Sequence, residues 1–365
     1  MRFLPLQVFC AVTSTVAANS RFYMPDEGNP HEATLMAWPG NNNPNYEDPG
    51  SLQRMKAELV DIAKAISDFE PVTMIVSSDQ VSDAERELAC CGEYGVDIKP
   101  TTADDLEPWM RDIAPTFVLS KGSHRDLYGA DFNFNGWGGR YPSSSNTDLA
   151  RYLLDDWYIP RLQSSIVLEG GALDVDGEGT MLATESSILN PNRNKNATRE
   201  TIERELHRIL GVTKVIWVPG VKDKDVTDAH IDALARFSSP GKVVLSRPSP
   251  GDPVWTKVYN DTSNILSQAT DAKGRALEIV ELPDADANDI DRSEPDMVVS
   301  YINYLLVNGA VIAPRFGSHK SDAEAKQILQ RVFPERKIVQ VPLNEIAVNG
   351  GGIHCMTQQI PALEK

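Results

Sequence analysis

One pattern recurs along this chain, and few architectures accommodate it. A short apolar strand runs into a polar loop, an acidic or amide residue closes the loop, and a hairpin with a Gly turn follows. The stretch 96–132, "VDIKPTTADDLEPWMRDIAPTFVLSKGSHRDLYGADF", passes through Pro100 and a loop to Asp112, then reads strand, turn, strand. "VIWVPGVKDKDVTDAHIDALARFSSPGKVVLS" repeats the plan around Pro219 and Asp232, and "IVELPDADANDIDRSEPDMVVSYINYLLVNGAVIAPRF" around Pro283 and Asn303. "IVLEGGALDVDGEGTMLATE" gives the hairpin after Glu169 without the proline. "KIVQVPLNEIAVNGGGIHCMTQQIP" supplies strand, loop and Cys355, then runs out of chain; its partner strand is expected at the other terminus, in "HEATLMAWP".

Amphipathic helices separate the units. "SLQRMKAELVDIAKAISDF" carries apolar residues at helical spacing, "TRETIERELHRILG" starts at a Thr cap and stops at Gly211, and "SDAEAKQILQRVF" opens on a Ser321–Glu324 capping box. A fourth helix is expected over "DPVWTKVYNDTSNILSQA". Five strand-hairpin-helix units joined terminus to terminus form a fivefold α/β-propeller, a single pseudo-symmetric domain over 19–365. The loop ends then converge on one axis, bringing together Asp112, Glu169, His230, Asp232, Asn303 and Cys355. The alternative is an ordinary α/β sheet in which these polar residues scatter.

The glycine run in "NGGGIHCMTQQIP" marks a tight turn or a close approach, and makes Cys355 a candidate nucleophile. Three carboxylates, an imidazole and a thiol form an unusual set. Acyl transfer to a peptide needs a nucleophile, a base and an oxyanion hole, but not several acids. A guanidinium is planar and permanently charged, and carboxylates grip it through paired N–H···O bonds. A thiolate can attack its central carbon, and the bound cation favours that thiolate. An imidazole can protonate departing ammonia and then activate water. Together these roles amount to deimination.

The net charge of −17 argues against a nucleic-acid partner and is compatible with a cationic one. No internal segment is apolar enough to span a membrane. The N-terminal "MRFLPLQVFCAVTSTVAANS" reads as a signal peptide, 1–18, cut after Ala18 with Val16 at −3, which predicts a secreted protein. Sequons at Asn196 and Asn260 fit that expectation. Cleavage removes Cys10 and leaves Cys90, Cys91 and Cys355, with neither a disulfide framework nor metal-ligand spacing.

The stretches "MPDEGNPHEATLMAWP", "EPWMRDIAPTF", "FNFNGWGGRY", "LEGGALDVDGEGTMLATESSILNPNRN", "TDAHIDALARF" and "GGIHCMTQQIP" run in order from Met24 to Pro361. In them the chain resembles the agmatine deiminase and bacterial (Porphyromonas-type) peptidylarginine deiminase family of the guanidino-group-modifying, or pentein, superfamily. The resemblance implies a pentein propeller without cofactor or metal. It implies Cys355 as nucleophile, His230 as acid and base, and Asp112 and Asp232 as guanidinium ligands. Glu169 would bind the cation or steer His230, and Trp109 would wall the pocket. Three positions depart from the family's pattern: Ala229 where Gly is usual before the His, Gly352 where many members have Asn, and Val226 where an acid often receives the distal amine of agmatine.

The expected function is hydrolysis of agmatine to N-carbamoylputrescine and ammonia through a thiouronium on Cys355. The alternatives are a secreted peptidylarginine deiminase making citrulline, with Arg140 a conceivable carboxylate anchor, and a non-catalytic binder of cationic ligands. Each residue also has a plain structural reading: Cys355 a buried thiol, His230 a surface histidine, Asp112 a salt bridge to Arg111, Glu169 turn polarity. Asn303 is open between the two, and His354, alternating with Cys355 along a strand, is expected to face away and serve structure only.

Overall fold

The computed structural model describes residues 20–46, 48–89, 91–286, 290 and 297–363. The expected leader and Cys90 lie outside the described residues. Among those residues no helix is long and apolar enough to cross a membrane.

The strands form five small sheets with one shared plan, an antiparallel pair extended by a parallel strand. Thr116–Ser120 pairs with Leu127–Asp131, which is flanked by Arg161–Gln163. Leu173–Val175 pairs with Thr180–Thr184, flanked by Lys214–Val218. Ala235–Ser239 pairs with Lys242–Arg247, flanked by Glu278–Pro283. Leu305–Val307 pairs with Ala310–Arg315, flanked by Lys337–Pro342. The fifth sheet joins the two chain ends: Gln358–Pro361 runs antiparallel to His31–Ala37, followed in parallel by Val72–Ser77 and Val96–Thr101. The partner expected from "HEATLMAWP" is therefore the one found. Number of sheets, shared plan and terminal closure are those of the expected fivefold arrangement.

A parallel pair needs a crossover, and here each crossover carries a helix. Pro49–Ser67 links the first two parallel strands of the closing sheet and buries Met55, Leu59, Ile62, Ala63 and Ile66 at three- and four-residue spacing. Arg199–Leu210 starts at the Thr198 cap and ends at Gly211 in the left-handed region, as its sequence predicts. Pro253–Gln268 is capped by Asp252. Two expectations are corrected. His319–Val332 begins one turn early, capped by Ser318, because that hydroxyl reaches Ser321 N. A helix over Ser144–Asp156, capped by Ser143 and burying Leu149, Ala150, Leu153 and Leu154, was not anticipated.

The last parallel strand of each sheet leads, through a loop, to the hairpin of the next. Val96–Thr101 thus runs to Asp112, Arg161–Gln163 to Glu169, Lys214–Val218 to His230 and Asp232, Glu278–Pro283 to Asn303, and Lys337–Pro342 to Cys355. Five loops deliver the candidate site side chains, and the sheets behind them hold the loop ends in place.

Candidate active site

Cys355 lies in a turn between the glycine run and the closing strand, half-buried. Each of the three glycines has a steric reason. Gly350 takes φ +89; a Cβ on Gly351 would fall 2.1 Å from the Trp109 indole, and one on Gly352 would fall 2.3 Å from Asn303 Oδ1. The run is pressed against two site residues. Asn303 Oδ1 accepts from His354 N at 2.9 Å and Cys355 N at 3.3 Å, and its Nδ2 donates to Cys355 Sγ at 3.4 Å. The question left open at Asn303 is answered: this buried amide orients the thiol.

The acids surround the imidazole. His230 Nε2 is 3.3 Å from Glu169 Oε2, and Nδ1 is 3.8 Å from Asp112 Oδ1. Asp232 Oδ2 is 3.6 Å from Cys355 Sγ. All four residues are buried, so the surface-histidine and turn-polarity readings fail. Asp112 is not bonded to Arg111; it accepts from Gly171 N at 3.0 Å and Trp137 Nε1 at 2.8 Å. Glu169 is anchored by Arg193 Nε at 2.7 Å. One acceptor is left over. Asp232 Oδ1 is buried without a hydrogen-bond partner, a condition that costs free energy unless a donor arrives.

The electrostatics follow from this crowding. Burial would lower His230, but the charge of Asp112, the hydrogen bond and charge of Glu169, and the charge of Asp232 raise it to about 9. Burial raises the Asp112 carboxyl, with Glu169 and Asp232 adding to it against His230. Burial would also raise Glu169 and Asp232, but His230 and Arg193 hold the former down, and His354 holds down the latter. Burial, then the charges of Asp232 and Asp112, push the Cys355 thiol well above its usual value. At neutral pH the set is an imidazolium, a thiol and acids poised for a cation. A guanidinium entering here would satisfy Asp232 Oδ1 and offset the charges that oppose the thiolate.

Removing the Glu169 charge while keeping an acceptor for Arg193 isolates its effect on His230. In Glu169→Gln the imidazolium loses support, so its pKa falls. The basic limb of a kcat/KM profile that needs the protonated ring therefore moves to lower pH, by about one unit or more. An unchanged basic limb would remove Glu169 from that role.

The mouth departs from expectation in two respects. The Arg140 guanidinium is engaged by Asp228 at 2.7 and 2.9 Å, Asp223 Oδ1 at 2.7 Å and Val226 O at 2.9 Å. It fastens two loops together and has no free fork for a substrate carboxylate. Val226 packs against the apolar cluster that includes Trp109, and the neighbouring Asp225 spends Oδ1 on the backbone N–H of Thr227 at 2.7 Å and of Ala229 at 3.2 Å. The aromatic stretch before Arg140 buries Phe132, Phe134 and Trp137, and Trp137 at φ +52 aims its indole N–H at Asp112.

Ala229 explains its departure from the family's pattern as a strain. It is buried at φ +67, a region that costs a residue with a Cβ about 1–2 kcal/mol. Glycine relieves this but loses more entropy on folding. Ala229→Gly should gain about 0.5 kcal/mol in denaturant unfolding and leave turnover unchanged, and a loss of stability would contradict the strain.

His354 is a correction. It sits in the turn 353–356, not on a strand, and its ring reaches Asp232 Oδ2 at 2.8 Å instead of facing away. Sequence reading also passed over Glu27, Asp174, Arg193 and Arg236 and paired Arg111 with Asp112; all five are ions beneath the site, buried but for the partly exposed Glu27. The quoted motifs contain all five, but nothing local marks them as partners.

Residues 23–361 match the family of the Porphyromonas-type peptidyl-arginine deiminase. An agmatine deiminase of Pseudomonas aeruginosa is 38% identical over 384 residues, covering 97% of this chain and 99% of that one. Another, of Ectopseudomonas mendocina, is 37% identical, covering 96% and 98%. The solved structure of an agmatine deiminase of Enterococcus faecalis superposes with a TM-score of 0.84 at 31% identity, covering 93% and 96%. Sequence, fold and the clustering of the expected side chains agree: the chain belongs to the Porphyromonas-type peptidyl-arginine deiminase family.

Proposed function

We propose that the protein is an agmatine deiminase, converting agmatine and water to N-carbamoylputrescine and ammonia. The observation that carries this reading is the buried, unpartnered Asp232 Oδ1 within a cluster that also holds Asp112, His230 and Cys355. The relatives named agmatine deiminase at nearly full coverage support the substrate.

In this mechanism Asp232 and Asp112 take the guanidinium nitrogens and turn its carbon toward Cys355 Sγ. The cation lowers the cost of ionising the thiol, whose proton leaves to solvent because His230 is already protonated, and the thiolate adds to the carbon. His230, protonated at neutral pH, gives its proton to the departing nitrogen, which leaves as ammonia. The neutral ring then takes a proton from water as that water attacks the thiouronium. Collapse of the adduct returns the thiol and releases the ureido product. Glu169 keeps the ring protonated between turnovers, and Trp109, packed against Gly351, walls the carbon chain of the substrate.

A second reading, deimination of arginine in peptides, is favoured by Val226, which offers no charge to a distal amine. The engaged Arg140 weighs against it, because a peptide carboxylate would have to displace Asp228. Ammonia release from agmatine, free arginine and C-terminal-arginine peptides separates the two. Turnover confined to peptides would overturn the agmatine assignment and leave the chemistry standing.

A further inference from the structure

A buried clamp lies behind the nucleophile. His354 is 2% exposed, and each of its ring nitrogens faces a carboxylate oxygen: Nδ1 is 2.8 Å from Asp232 Oδ2 and Nε2 is 2.8 Å from Glu27 Oε2. Carboxylates accept, so a ring nitrogen that carries a proton donates to the carboxylate it faces. Glu27 is itself fixed. Its Oε1 accepts from Arg236 Nη2 at 2.8 Å and Leu306 N at 2.8 Å, and Arg111 Nη2 stands 3.5 Å from Oε2. Arg236 is held in turn by Asp174 Oδ2 at 3.2 Å and by the carbonyl of Tyr304, with its guanidinium over the Tyr304 ring.

The clamp binds one oxygen of Asp232 and leaves the other without a partner. We infer that His354, held by Glu27, is a positioning residue that fixes the Asp232 carboxylate with Oδ2 occupied and Oδ1 presented to the substrate guanidinium. This rests on the deiminase reading for what Oδ1 receives. It adds a role to a residue that never touches the substrate. The remaining charges facing Asp232 are His230 on its own loop, together with Asp112, Arg236, Arg111 and the Cys355 thiol. Of these only the thiol, a weak donor, contacts Oδ2, at 3.6 Å, so the orientation of the carboxylate depends on the His354 ring.

The two ring contacts can be separated by side-chain geometry. The amide nitrogen of Asn falls near the position of a histidine Nδ1, and that of Gln near Nε2. His354→Asn therefore keeps the donor to Asp232 and gives up the one to Glu27, whereas His354→Gln does the reverse. Both replace the ring by a polar amide in the same buried site, so melting temperatures of the two are expected to drop together. Binding is read by calorimetry in a Cys355→Ala background, with agmatine and with methylguanidinium chloride, the bare head group. The expected result is a Kd raised about 30-fold for both probes by His354→Gln and less than about 5-fold by His354→Asn, the scale of a misplaced binding group. In the enzyme with Cys355 intact, His354→Gln should raise KM more than it lowers kcat. Equal weakening by the two amides would overturn the inference, as would a Cys355→Ala protein that takes no methylguanidinium. Failure of the deiminase reading looks different: methylguanidinium binds with the expected ranking while the parent releases no ammonia from agmatine.

Discussion

Replacing Cys355 with alanine should reduce ammonia release from agmatine by about 10,000-fold or more, the scale on which loss of a covalent nucleophile is felt. Agmatine should remain bound. The acids that grip the guanidinium are untouched by the change, and Asp232 loses only a thiol neighbour at 3.6 Å. The thiol is held above its usual range by burial and by the charges of Asp232 and Asp112, so the free enzyme keeps it protonated at neutral pH. A bound cation offsets those charges, which makes the nucleophile a property of the complex. It follows that iodoacetamide labels Cys355 slowly in the free protein and faster as pH rises. A coupled ammonia assay and calorimetric titration check the two halves of the expectation. If the alanine variant retained a tenth of parental turnover, the thiouronium route would be wrong.

The fold was legible because its unit is local. A strand, a Gly-turn hairpin and a capped helix each leave marks within a dozen residues, and five repeats of one plan imply that the loop ends meet. That route, together with the resemblance, placed Asp112, Glu169, His230, Asp232 and Cys355 in one cluster, and they do cluster. Helix boundaries were less secure: Ser318 and Ser321 both stand before an acceptable helix start, and only the hydrogen bond to Ser321 N decides between them. The clamp under the site was not legible at all. Glu27 and His354 are 327 positions apart, and they meet because His31–Ala37, just after Glu27, pairs with the last strand of the chain, Gln358–Pro361, just after His354. Alternation along a strand placed the His354 ring on the wrong side because the residue lies in a turn. Arg140, beside its glycines, was one conceivable carboxylate anchor under the peptide reading; its carboxylate partners lie more than 80 positions further on.

Gly171→Ala should lower kcat/KM for agmatine by about 100-fold or more, although it adds one methyl group and no charge. The Cβ would lie 2.5 Å from His230 Nδ1, 3.0 Å from Asp112 Oδ1 and 3.2 Å from Asp232 Oδ2. None of the three can give way cheaply. His230 is tied to Glu169, Asp112 to Trp137, and Asp232 to His354. The methyl group therefore has no room among these polar atoms, and it pushes the proton donor out of place. A shift of about 1 Å in such groups is enough for the expected loss. Overpacking also costs stability, about 1–3 kcal/mol, so a control must show that the loss of activity is not simply partial unfolding. Gly309→Ala provides it. Gly309 sits at φ +78 in the hairpin turn between Leu305–Val307 and Ala310–Arg315, with nothing within 4 Å of its Cβ position. It should lose about 1 kcal/mol and keep full turnover. If both alanines reduced kcat/KM alike, the damage at Gly171 would be general. If Gly171→Ala alone is inactive while folded, the close fit of Gly171 against His230 is what holds the proton donor in its working position.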